Sequence, residues 1–104
     1  MDVVVLFLER TREDARISSV NISLYVSLWK NWIDQNKQEP LRIKRKEVMT
    51  ACKITGLTTY HKTIRELARY GYIGYDPSYS RHEGSRVYFT MEGINKCRAM
   101  QQHT

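Results

Sequence analysis

Helical spacing of apolar residues, broken once at a glycine, runs from Lys44 to Gly71 and then gives way to alternation. In Lys44–Ile54, a short helix makes Val48, Met49, Cys52 and Ile54 available to a core. Thr55-Gly56-Leu57 predicts a turn, with Gly56 the residue that takes positive φ at no steric cost. Leu57, Tyr60, Ile64, Leu67 and Ala68 then recur at helical spacing and form one apolar stripe on a longer second helix. Its other face holds Thr59, His61, Lys62, Arg65, Glu66 and Arg69, and Gly71 follows as a C′ glycine. Tyr72–Tyr75 and Arg86–Thr90 alternate and are rich in aromatic and β-branched residues, which predicts two strands. The polar loop between them is punctuated by Pro77 and Gly84 and is longer than a two-residue turn.

The flanks of this centre are also patterned. Asp2 is a candidate N-cap for a first helix ending near Thr11 or Asp14, with Val4, Val5, Leu8 and Arg12 on one face. Three consecutive valines, stiff at χ1, keep a strand as the competing reading. Arg16–Val20 is a connection with cap candidates Ser18, Ser19 and Asn21. A second helix is expected over about Ile22–Asn36, with Leu24, Leu28, Trp29, Trp32 and Ile33 as its broad apolar face. Large aromatics dominate buried area in a small domain, so the tryptophans are expected as core or dimer anchors. Pro40 stops any helix by Glu39, and Leu41-Arg42-Ile43 reads as extended. Met91–Gln101 predicts a last helix with Thr90 as N-cap and Glu92 in its first turn.

A chain of 104 residues holds one domain with a modest core, so residues 1–104 are expected as a single unit of α+β class, mainly α. Net charge is +6, and its distribution changes the picture more than its size. Residues 1–41 carry five basic and six acidic side chains, residues 42–86 ten and four, and residues 87–104 two and one. The whole excess lies on the central helices and the hairpin, as expected of a face that binds a polyanion. A solvated surface that happens to be basic is the bland alternative. Cys52 and Cys97 form neither a metal spacing nor a redox motif and are expected as free thiols in a reducing, cytoplasmic setting. The apolar start lacks a basic n-region and runs at once into Glu9, Arg10, Arg12, Glu13 and Asp14, so neither a signal peptide nor a membrane span is expected.

Two helices about a glycine turn, the second with basic and hydroxyl residues facing out, make a helix-turn-helix pattern over about residues 44–71. The hairpin over about 72–90 directly after it supplies a wing. Thr59-Tyr60-His61-Lys62-Thr63-Ile64-Arg65-Glu66-Leu67 and Tyr70-Gly71-Tyr72-Ile73 resemble the winged helix-turn-helix signature across roughly residues 41–90. This chain would add an extra N-terminal helix and a C-terminal helix. A narrower resemblance rests on Phe7-Leu8, Asp14-Ala15-Arg16, Ile22-Ser23-Leu24-Tyr25, Trp32, Arg45-Lys46-Glu47-Val48-Met49, Thr59-Tyr60-His61, Gly71-Tyr72-Ile73 and Gly84-Ser85. Those pieces look like small DNA-binding proteins of mobile and conjugative elements in Bacteroidetes, described as transcriptional regulators.

The resemblance implies a duplex-DNA partner and a recognition helix that enters the major groove with its N-terminal half. It implies that Thr58, Thr59, His61, Lys62 and Arg65 face DNA. Hydroxyls at a helix N-terminus suit phosphate, and Lys62 and Arg65 can reach base edges. Lys44, Arg45 and Lys46 open the preceding helix against its dipole, so either DNA phosphate or solvent compensates them. Arg81, His82 and Arg86 on the wing are expected on the backbone or in the minor groove. An enzyme is not expected. The three histidines share no metal spacing, and no phosphate loop or nucleophile motif is present. No cofactor, metal or membrane partner is expected either. Homodimer and monomer both stay open, with Trp29, Trp32 or the last helix as dimer surfaces. Because a fold does not settle function, a winged-helix protein-interaction module in a replication or transfer complex is the alternative.

Overall fold

A computed structural model describes residues 2–78 and 84–101. Its elements are α1 (Val3–Thr11), α2 (Ser19–Asp34), β1 (Leu41–Ile43), α3 (Arg45–Cys52), α4 (Leu57–Arg69), β2 (Gly74–Asp76), β3 (Ser85–Tyr88) and α5 (Met91–Gln101). The architecture is α+β and mainly helical, with one small antiparallel sheet in the order β1-β3-β2.

The N-terminal stretch is a helix despite its valines. The Asp2 carboxylate accepts from the Val4 amide at 3.3 Å and from Trp29 Nε1 at 2.8 Å, so one group caps α1 and ties it to α2. The buried face differs from the expected one. Phe7 and Thr11 turn inward, whereas Val5 and Leu8 are 44% and 43% exposed. Phe7 decides the rotation of the helix, because its ring stacks on Tyr25 at 3.7 Å and meets the Tyr72 ring edge-on at 5.2 Å.

α2 starts three residues earlier than expected because Ser18 and Asn21 form a reciprocal capping box. It stops at Asp34, before Asn36 and Lys37 take positive φ. The Asn21 side chain is fully buried and also donates to Glu66 Oε1 on α4 at 3.4 Å. Trp32 is buried in this chain's own core, stacked on Phe89, and its indole N–H donates to the Gln38 carbonyl at 3.0 Å. It therefore offers no surface to a second copy, and Trp29 is partly buried against the core.

The connection between α3 and α4 corrects one expectation. Gly56 has φ −89° and ψ 128°, ordinary extended backbone, and serves as N-cap of α4. The left-handed residue is Lys53, the C-cap of α3, at φ 62°. Ser23 on α2 donates to the Cys52 carbonyl at 3.0 Å, anchoring that bend. Gly71 does take φ 86° just past α4, as a C′ glycine does.

In the sheet, Leu41 and Tyr75 lie opposite Val87 and face the main core, while Arg42, Arg86 and Asp76 form a row on the other face. α5 covers one end of that outer face, where Tyr88, Ile94 and Cys97 make a small second core. Its N-cap is as expected. Thr90 Oγ1 accepts from the Gly93 amide at 3.0 Å, and Glu39 in turn accepts from the Thr90 hydroxyl at 2.7 Å.

Asp14 joins the α1–α2 connection to the bend after α4. It accepts two bonds from the Arg16 guanidinium at 2.9 Å and one from the Tyr72 hydroxyl at 2.6 Å. The Arg16 guanidinium first, and the Tyr72 hydroxyl second, hold its carboxyl far below the usual carboxylate range. The folded pKa thus lies below the ordinary 3.8, so the unfolded chain takes up a proton first as the pH falls. The stabilisation is whole above that value and is lost as the pH drops toward the folded pKa. Asp14→Asn is expected to lower the melting temperature at pH 7 and to flatten its fall below about pH 4. Parallel melting-temperature profiles for the two proteins would refute the linkage.

Candidate nucleic-acid interface

α4 has sharply divided faces. Tyr60, Thr63, Ile64 and Leu67 point into the core. Thr58, Lys62, Arg65 and Arg69 recur at i, i+4, i+7 and i+11, which is one line along the opposite side, and all four are exposed. Thr59 is exposed about a quarter turn from that line. The line is flanked by Leu57, expected inward but 47% exposed because it is the first residue of the helix and overhangs the core. Leu57, Thr58, His61, Lys62 and Arg65 line a shallow open cleft of about 410 Å³.

The N-terminus of α4 is electrostatically bare. Gly56 offers no capping side chain, and the first turn holds no acidic residue. The amides of Leu57, Thr58 and Thr59 therefore point outward with the positive end of the helix dipole. α3 brings a second cation to this end. Arg45 stands close enough that its charge acts on both the His61 imidazole and the Tyr60 hydroxyl. Lys44 and Lys46 are exposed beside it, and Lys44 is an N-cap without a side-chain bond.

His61 differs from its neighbours. Its ring is half-buried, and Nε2 is enclosed with no hydrogen-bond partner. Burial first, then the Arg65 and Arg45 charges, push its pKa below the ordinary 6.5. The imidazole is thus neutral at pH 7 and contributes no cation. Arg86 is also less free than the others, since Nε lies 3.2 Å from Asp76 across the β2–β3 pair. Arg81 and His82 lie outside the described residues.

Lys44, Arg45, Lys46, Thr58, Thr59, Lys62 and Arg65 are each exposed, on α4 and on α3 with its N-cap. Arg69 completes the line on α4, on the outward face where the helical spacing set it. Among the described residues, no group of three or more His, Cys, Asp or Glu side chains is placed to hold a metal ion, and no helix is long and apolar enough to cross a membrane. Neither a protein-family model, a curated protein nor a solved structure matches the chain.

Proposed function

We propose that this chain is a winged helix-turn-helix protein that binds double-stranded DNA, with α4 as the recognition helix and the β2–β3 pair as the wing. It acts as a binding protein, not an enzyme, and regulates transcription or controls excision or replication of a mobile element. The observation that carries the reading is the line Thr58-Lys62-Arg65 on the exposed side of α4, headed by an uncapped helix N-terminus and flanked by Arg45. Such a line meets phosphate with its hydroxyl and amides and reaches base edges with its long cations. The element order, with β1 on the sheet edge and the strand pair following α4, supports the same reading.

Binding-site selection on random duplex DNA, run across a salt series, tests it. Selected duplexes are expected to bind with a log–log salt slope of about −3 to −6, since each neutralised phosphate contributes roughly −0.9. A flat salt dependence, or no enrichment of any sequence, would count against it. The alternative, a winged-helix module that docks on a protein of a replication or transfer complex, draws on the exposed Val5, Leu6 and Leu8 of α1.

A further inference from the structure

α2 carries an apolar line apart from the face it gives to the core. Ile22, Val26, Trp29 and Ile33 recur at i, i+4, i+7 and i+11, which sets them along one side of the helix. Ile22, Trp29 and Ile33 are half-buried, and Val26 is 37% exposed. The buried residues of α2, namely Asn21, Leu24, Tyr25, Leu28 and Trp32, form a different face. Two anchors frame the line. Trp29 Nε1 donates to Asp2 at the head of α1, and Ser23, beside the line, donates to the Cys52 carbonyl at the end of α3. Asn21, which bonds Glu66 of α4, is off the line.

Two features say what covers this line. The first is its spacing, which reads the same in both directions along the helix. A second α2 laid antiparallel, with a two-fold axis midway between Val26 and Trp29, pairs Ile22 of each copy with Ile33 of the other and Val26 with Trp29. Such a contact is isologous and closes on itself. The second is charge. Lys30 and Asp34 are the only charged residues of α2, and they pair with each other at 2.7 Å. The helix is therefore neutral in a chain of net charge +6, whose excess lies on residues 42–86. A strongly charged partner finds nothing to grip on α2, whereas a second copy of this basic chain meets no like-charge repulsion there.

We propose that the Ile22-Val26-Trp29-Ile33 line is a two-fold contact between copies of this chain, α2 against α2. At 16 residues α2 is about 24 Å long. One helix pair of that length covers less than the roughly 1,200–2,000 Å² of standard stable interfaces, so the dimer is weak, with a dissociation constant of about 1–100 µM. The contact takes none of the exposed residues of α4. Where the duplex-binding reading also holds, the pair presents two α4 helices and the selected sites are inverted repeats. That consequence rests on the duplex-binding reading, whereas the dimer itself does not.

Sedimentation equilibrium of the full chain without DNA tests it. A reversible monomer–dimer equilibrium in that range is expected, with no larger species. Val26→Glu and Val26→Lys each place a charge beside the axis and should weaken association at least about tenfold. Val26 is exposed, so both variants should fold, as their melting temperatures check. Mixed in equal amounts, the two should associate at least about tenfold more tightly than either alone, because the axis brings the opposite charges within a helical turn of each other. Leu6→Glu on α1 and Met100→Glu on α5, both exposed off the line, should leave association unchanged. The proposal is overturned if the chain stays monomeric to about 1 mM, which would leave the line to a different partner. It is also overturned if both Val26 variants dimerise like the parent, or if mixing them gains nothing. A dimer lost in Leu6→Glu or Met100→Glu but kept in Val26→Glu would put the contact on another face and overturn it as well.

Discussion

Trp32→Ala is expected to destabilise the protein by about 3–5 kcal/mol, the usual cost of removing a large buried aromatic. Trp32 is 5% exposed and stacks on Phe89 with ring centroids 4.8 Å apart. Phe89 in turn meets Tyr25 edge-on, and Tyr25 stacks on Phe7. One aromatic column therefore links α2, the end of the sheet and α1, and removing Trp32 opens a cavity at its base. For a domain of this size each kcal/mol shifts the melting temperature by roughly 4–8 °C, so a drop of at least about 12 °C is expected. Trp32→Phe should retain most of the stack and lose about 1 kcal/mol with the bond to the Gln38 carbonyl, which is on the exposed side and can hydrate. A shift of only a few degrees for the alanine variant would show that Trp32 is not a core anchor.

Much of this fold was legible because its signals are local. Met91–Gln101 was bounded by the Thr90 cap on one side and by periodicity along its length, and both survive in the structure. The strands were offset by only one or two residues, since alternation marks which side is buried better than where pairing begins. The rotation of α1 was not legible. Val4, Val5 and Leu8 carry more apolar surface than Thr11, yet Phe7 wins because Tyr25 and Tyr72, far away in sequence, supply its pocket. The bend between α3 and α4 misled for a different reason. Glycine is the default for positive φ, but here the left-handed turn falls on Lys53, whose side chain is exposed, and Gly56 is placed where an N-cap is needed.

The candidate site divides in the same way. Exposure of Thr59, Lys62 and Arg65 followed from helical period alone, and Thr58 was added by the winged-helix resemblance. The state of His61 did not, because its lowered pKa follows from burial first, then from Arg65, and then from Arg45 on another helix. Arg86 was expected on the DNA backbone or in the minor groove, and the strand register sets Asp76 directly opposite it. Such an exposed pair contributes little to stability, but it lowers the local positive potential.

Lys62→Ala with Arg65→Ala is expected to weaken duplex binding by about ten- to hundredfold at moderate salt, with Arg65 contributing roughly 1–3 kcal/mol if it reads a base edge. The two losses should differ in kind. Lys62→Ala should reduce the salt slope by about 1 and affect all sequences alike, whereas Arg65→Ala should also relax preference at one base pair. Both side chains are exposed, so stability should stay within about 0.5 kcal/mol of the parent. Gly56→Asp supplies an independent check. Gly56 has the extended backbone that an N-cap requires, and a Cβ there meets nothing closer than Thr59 Oγ1 at 3.6 Å. Aspartate should therefore cap the bare amides and raise stability by a few tenths of a kcal/mol, while placing a carboxylate where phosphate would dock. A variant that melts higher and binds duplex at least about tenfold more weakly would separate lost contact from lost fold. Unchanged DNA affinity in Gly56→Asp and in the Lys62/Arg65 double variant alike would remove α4 from the interface.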